Sequence, residues 1–132
     1  MPDWLKNHEQ PGVTIYGEVA DAAAFRRDHG VMLVPLLAGS GMRIKIIEGL
    51  AEGLPMIATP IGAEGVAVTQ GLNILLAETP QIFADAILQL AEDDARCAEI
   101  GKNAATLAAK AYQNRHLISG LLDFYTRTWQ QD

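Results

Sequence analysis

The sequence predicts an α/β fold: a parallel sheet of about four strands flanked by helices, with a helical C-terminal third. Three observations carry this expectation. Short apolar runs recur at residues 13–16, 31–34, Met56–Ala58 and 73–76. Stretches with helical spacing lie between and after most of them, and strands alternating with helices imply a parallel sheet covered on both faces. Glycine-bearing loops follow the first three runs, at Gly17, at Gly39 and Gly41, and at Gly62 and Gly65.

Taken in order, residues 2–10 read as the end of a helix with Trp4 and Leu5 as its apolar positions, closed by Gln10-Pro11-Gly12. Val13-Thr14-Ile15-Tyr16 is a short strand ending at Gly17. Asp21 caps a helix through Arg27, and Asp28-His29-Gly30 ends it. Val31-Met32-Leu33-Val34 is the second strand, stopped by Pro35. A helix over residues 43–52 follows, with Ile44, Ile47, Ala51 and Leu54 at helical spacing and Gly53-Leu54-Pro55 as its stop. Met56-Ile57-Ala58 and Asn73-Ile74-Leu75-Leu76 are the third and fourth strands. Thr79-Pro80 opens a helix whose inward stripe is Ile82, Phe83, Ala86, Ile87 and Leu90. Asp93-Asp94 starts the next, with Cys97, Ile100 and Leu107 inward. Asn114 caps a last helix with Leu117, Leu121, Leu122, Phe124 and Tyr125 as its apolar positions.

At 132 residues the chain is one domain, small for a complete α/β nucleotide-binding unit. A net charge of −6 supplies no basic stripe, which argues against nucleic acid or an anionic membrane surface as partner. One cysteine, Cys97, makes no intramolecular disulfide and fits a small helix filler in a reducing, cytoplasmic setting. No apolar segment resembles a signal sequence or reaches membrane-spanning length. His8, His29 and His116 have no ligand spacing, so no metal site is expected. Glu64, between glycines, reads as a loop brace, and Trp4 and Trp129 as packing anchors.

The stretch Gly39-Ser40-Gly41-Met42-Arg43-Ile44-Lys45-Ile46-Ile47-Glu48 organises the rest. A strand, a glycine turn and a helix N-terminus in succession bring backbone N–H groups and the positive end of the helix dipole toward one place. Arg43 and Lys45 add positive charge there, and Glu48 shares a helix face with Lys45. Such a grouping suits a ligand bearing phosphates and hydroxyls. From spacing alone, a solvated helix face explains Arg43, Lys45, Glu48 and Glu52 as well.

That stretch, with Gly53-Leu54-Pro55-Met56-Ile57-Ala58-Thr59-Pro60-Ile61-Gly62-Ala63-Glu64-Gly65-Val66, resembles the C-terminal nucleotide-sugar-binding domain of family-four retaining glycosyltransferases. The resemblance extends from Gly17-Glu18-Val19 to about Tyr112. It implies half of a GT-B enzyme, in which two Rossmann-like domains face each other across a cleft. The implied function is binding a nucleoside diphosphate sugar for hexosyl transfer to a glycan or other acceptor, as in polysaccharide biosynthesis. No cofactor or metal is implied, since cations and helix-end amides carry the leaving diphosphate's charge.

By the same resemblance, Gly39, Ser40, Gly41 and Met42 lie against sugar and diphosphate, and Thr59 opens the loop completing the phosphate side. Glu48 matches the second glutamate of the family's Glu-x7-Glu motif and binds the ribose hydroxyls. Val19 meets the base through its backbone, and Arg43 and Lys45 act at the site or brace its loop. Ser40 stands where the motif has its first glutamate, so no catalytic carboxylate is assigned and the donor sugar is left open. At Tyr112-Gln113 the tryptophan that often follows the tyrosine is missing.

The resemblance begins partway into the domain. The acceptor-binding N-terminal domain, and two strands with an Arg/Lys pair, have no counterpart before Met1. The piece is therefore expected to be inactive alone, with its parent enzyme peripheral to a membrane or free of it. Strand 13–16 would lack its normal neighbour in the usual Rossmann order, and strand 31–34 would present an open edge. Direct pairing of those two strands, or self-association, is the expected remedy. Two other readings share the fold: a non-catalytic nucleotide-binding or interaction module, and an enzyme of the nucleotide-sugar epimerase type.

Overall fold

The structure, a computed structural model, describes residues 10–129. Its elements are α1 (Ala22–Arg27), β1 (Met32–Val34), α2 (Ile44–Ala51), β2 (Met56–Ala58), β3 (Leu75–Leu76), α3 (Pro80–Glu92), α4 (Asp94–Ala111) and α5 (Asn114–Trp129). Among the described residues the strands form one parallel sheet of order β1-β2-β3. The expected α/β architecture is present. The helix expected over residues 2–10 lies outside the described residues up to Glu9.

Side-chain alternation along the strands divides the core in two. Val34, Met56 and Ala58 pack with Ile46 and Leu50 of α2 and Ala104 and Ala108 of α4. On the opposite face Ile57 and Leu75 pack with Ala86 and Leu90 of α3, joined by Ile100 of α4. Leu33 pairs in register with Ile57, which pairs with Leu75. As the edge member of that row, Leu33 is 46% exposed.

Local signals set the helix starts. The Asp21 carboxylate accepts from Ala24 N–H at 2.9 Å, Thr79 Oγ1 from Ile82 N–H at 3.3 Å, and the Asp93 carboxylate from Arg96 N–H at 2.8 Å. Each satisfies a donor that the helix itself cannot. Gly53 ends α2 in the left-handed region at φ 69°.

Two expectations are corrected, at residues 13–16 and in α3, and the structure also fixes which sides of α2 and α5 are exposed. Residues 13–16 form no strand and do not pair with β1. Among the described residues Val13 makes only an antiparallel bridge with Gln10, across the turn at Gly12. Without a neighbouring strand an apolar run gains no ladder bonds, and Val13 and Tyr16 remain exposed. In α2 the buried residues are Ile46, Gly49 and Leu50, while Ile44 and Ala51 face out. Gly49 decides this orientation: a Cβ there would stand 2.8 Å from Met56 Sδ and 3.1 Å from Met32 Sδ, so the helix meets the sheet on its glycine side. In α3 the buried residues are Ala86 and Leu90, with Phe83 partly buried and Ile82 and Ile87 exposed. In α5 Leu117, Leu121, Leu122, Phe124 and Tyr125 are exposed. The sheet faces are already taken by α2, α3 and α4, leaving α5 to lean on α4.

Candidate functional site

Loops leave the carboxyl ends of β1 and β2 side by side, where ligands bind in parallel α/β sheets. Thr59 ties them together. Its N–H donates to Val34 O at 3.2 Å, its hydroxyl donates to Leu36 O, and Gly62 N–H donates to that hydroxyl at 3.0 Å. Thr59 is buried at 7% exposure, so its hydroxyl holds the two loops rather than facing solvent.

The glycine turn packs on the second loop. A Cβ on Gly65 would lie 3.6 Å from Met42 Cα. Gly39 and Gly41 adopt φ 131° and φ 83°, left-handed conformations that L side chains disfavour. The guanidinium of Arg43 lies in the space beside Gly39 that a Cβ would fill. Arg43 itself is the N-cap residue of α2, without a side-chain cap bond. Its Nε is enclosed and has no hydrogen-bond partner among the described residues, an unusual state for a buried donor. Neither Arg43 nor Lys45 has an acidic partner among the described residues. Ser40 and Met42 are exposed on the turn.

Glu48 and Lys45 lie on the α2 side that faces α1. Arg26 Nη1 is 3.1 Å from Glu48 Oε2. The same guanidinium grips Glu52 with two bonds, Nε to Oε2 at 2.9 Å and Nη2 to Oε1 at 2.7 Å. The hydrogen bond from Arg26 holds the Glu52 carboxyl below the ordinary carboxylate range, and Glu52 in turn raises Arg26. The sequence reading missed Arg26, because an ion pair between separate helices leaves no local spacing signal.

Lys45 also lines an open groove of about 440 Å³ between α1 and β1, with Phe25, Arg26, His29, Leu33 and Leu54. Val19 precedes α1 and is partly buried. A second recess, about 350 Å³, opens at the carboxyl ends of all three strands, lined by Pro35, Leu37, Thr59, Ala77, Glu78 and Phe83 among others. Among the described residues no group of His, Cys, Asp or Glu could hold a metal ion. Cys97 is half-buried, donates to Leu90 O at 3.1 Å, and has its thiol pKa pushed up by burial. That fits the filler role and not a reactive one.

A parallel sheet with a glycine turn and unpaired cations at its carboxyl end defines the class: an α/β domain of Rossmann-like architecture. The family description Glycosyl transferases group 1 matches residues 1–93. This chain belongs to that family. It is 32% identical over 92 residues to an uncharacterized glycosyltransferase of Methanocaldococcus jannaschii, covering 68% of this chain and 26% of that one. It is 23% identical over 91 residues to an uncharacterized 44.6 kDa protein in the cps region of Klebsiella pneumoniae, covering 69% of this chain and 24% of that one. The chain thus spans about a quarter of the length of the curated relatives it matches.

Two solved structures share the fold. One is the C-terminal domain of a glycosyl transferase group 1 family protein (LpcC) from Francisella tularensis, with TM-score 0.64 and 24% identity over 75% of this chain and 53% of that one. The other is Anabaena HepE in complex with UDP, with TM-score 0.69 and 22% identity over 80% of this chain and 30% of that one. The architecture is that of a partial GT-B C-terminal domain. Among the described residues no helix is long and apolar enough to cross a membrane.

Proposed function

We propose that residues 1–132 are the donor-binding portion of a retaining glycosyltransferase of family four, holding a nucleoside diphosphate sugar for hexosyl transfer. The observation that carries this reading is the turn at residues 39–42. It is left-handed at two glycines, docked on the loop after β2, and capped by an Arg43 guanidinium with an orphaned Nε. An anionic diphosphate is drawn to that guanidinium and to the free amides at the start of α2. Arg43 and Lys45 carry the phosphate charge without a metal, Glu48 takes the ribose hydroxyls, and Val19 meets the base. The family match and the UDP held by the HepE structure favour this reading over the epimerase-type one.

The acceptor belongs to a second domain of the full-length enzyme, and the isolated piece is inactive. A relative from a cps region favours polysaccharide biosynthesis, and the cytoplasm is its proposed setting. Ser40, in place of a glutamate, favours one competing reading, a module that keeps nucleotide binding without the reaction. Calorimetric titration of this chain with UDP, GDP and ADP tests the proposal, with Glu48→Ala as control. Binding of one nucleotide, weakened in the variant, supports it and identifies the base; no binding of any defeats it for this chain.

The isolated chain also self-associates through β1. Met32 N–H donates to Pro55 O and Thr59 N–H to Val34 O, so the β1 ladder faces β2 through alternate residues. The backbone groups of Leu33 therefore point away from the sheet. Met32, Leu33 and Val34 carry no charge to blunt that edge. A second copy, meeting β1 edge to edge about a two-fold axis, is the occupant that this self-complementary backbone selects.

A further inference from the structure

We propose that Arg26 is a positioning residue for the donor ribose, setting the Glu48 carboxylate in place by bracing it against Glu52. This rests on the reading of Glu48 as the ribose ligand. Glu48 is on an exposed helix turn and its side chain is 49% exposed, so solvent alone would leave it free to sample many rotamers. A carboxylate that accepts from two neighbouring hydroxyls must be held in one orientation before the ligand arrives. Arg26 supplies that restraint, with its side chain only 16% exposed.

The division of its donors is the central point. The Nε and Nη2 fork is spent on both oxygens of Glu52, which fixes the guanidinium plane. Nη1 is left to reach Glu48 Oε2 at 3.1 Å. Glu48 and Glu52 are one helical turn apart on α2, so one planar fork from α1 spans both. One Glu48 oxygen is then engaged by Arg26 and the other remains for the sugar. If Arg26 only docked α1 onto α2, the Glu52 fork would suffice and Nη1 would have no need to meet Glu48.

The test compares each ribonucleotide with its 2′-deoxy form: UDP with 2′-deoxy-UDP, and likewise for GDP and ADP, by calorimetry on the full chain. The quantity read is the ratio of the two affinities within one variant, which cancels any difference in folded fraction. Wild type should prefer the ribonucleotide, and Glu48→Gln should cut that preference by about tenfold. Arg26→Gln should cut it nearly as far, and Arg26→Lys, which keeps a charge but not the fork, should restore part of it. An Arg26→Gln ratio equal to wild type, with Glu48→Gln collapsed, would overturn the positioning role and leave Arg26 a helix-docking residue. A wild-type chain with no ribose preference, or a Glu48→Gln ratio unchanged, would overturn the underlying reading of Glu48 and this inference with it.

Discussion

Gly101 of α4 lies directly against the carbonyl oxygen of Gly53, the residue that ends α2. The contact is backbone on backbone, and a methyl group on Gly101 has no flexible neighbour to displace. It is also where α2, the helix that opens at the glycine turn, is seated on the rest of the fold through α4. Gly101→Ala should therefore cost about 2–3 kcal/mol, the range for overpacking a closed site. Gly120, in α5 with nothing within 4 Å of its would-be Cβ, is the matched control. Gly120→Ala should stabilise by roughly 0.5–1 kcal/mol through helix propensity. Urea unfolding of the two variants beside wild type checks both signs.

Arg26 gives the chain a specific acid sensitivity. Its fork holds the Glu52 carboxyl below its ordinary 4.5. A depressed folded-state pKa contributes stability above the unfolded value and loses it as the pH falls through the folded one. At neutral pH, Glu52→Gln should lower stability by about 0.5–1 kcal/mol, as suits a partly exposed pair. The gap to wild type should shrink steadily as the pH drops below 4.5. Unfolding midpoints measured across that window decide the matter; a gap that stays constant with pH would mean the loss came from packing instead.

Thr59 offers a sharper separation of hydroxyl from shape. Thr59→Val keeps the volume but leaves Leu36 O without its donor and takes from Gly62 N–H its acceptor. Unpaired buried polar groups cost about 1–3 kcal/mol. Thr59→Ser, which keeps the oxygen, should lose much less. Nucleotide titration of the same pair should rank them in the same order, because the two loops move apart together.

How much of this was legible in the sequence depends on how local the cause was. Asp21, Thr79 and Asp93 cap helices through bonds three residues long, and all three stood out at once. Met56–Ala58 was legible because a central parallel strand is apolar on both faces. Residues 13–16 are also largely apolar but have no neighbouring strand among the described residues, and a strand is a property of pairs. The inward stripe of α3 was misread in part for a related reason: spacing identifies a stripe, but the neighbour decides whether it is covered. Gly49 and Gly101 look like ordinary helix glycines until Met56 and Gly53 are placed against them. The turn at residues 39–42 was visible as a unit, whereas the role of Thr59 as a loop tie and the link from Arg26 to Glu48 required the fold.

The open edge of β1 makes oligomeric state a readout of one side chain. Leu33→Lys places a charge in the middle of the exposed edge while leaving the β2-facing bonds of Met32 and Val34 intact. Charge on an edge strand opposes edge-to-edge pairing. Sedimentation velocity should find wild type as a dimer in the tens of micromolar and the variant as a monomer with unchanged helix content. A monomeric wild type at that concentration would remove the edge as a self-association surface.

Gly39 tests whether the glycine turn serves the ligand or only the fold. At φ 131° an alanine is strained, and its Cβ would fall where the Arg43 guanidinium now lies. Arg43 is flexible enough to move aside, so the steric cost is relieved by displacing the very group we propose to face the diphosphate. Gly39 is exposed, and loop strain of this kind should cost the fold only about 1–2 kcal/mol. The loss in affinity for a nucleoside diphosphate should be larger, tenfold or more, because a charge-assisted contact is worth roughly twice a neutral one. Nucleoside monophosphate binding should change less than diphosphate binding, since the displaced cation serves the phosphate end of the ligand. Titrating Gly39→Ala with both nucleotides measures the difference, and an equal loss for the two would assign Gly39 to the fold alone.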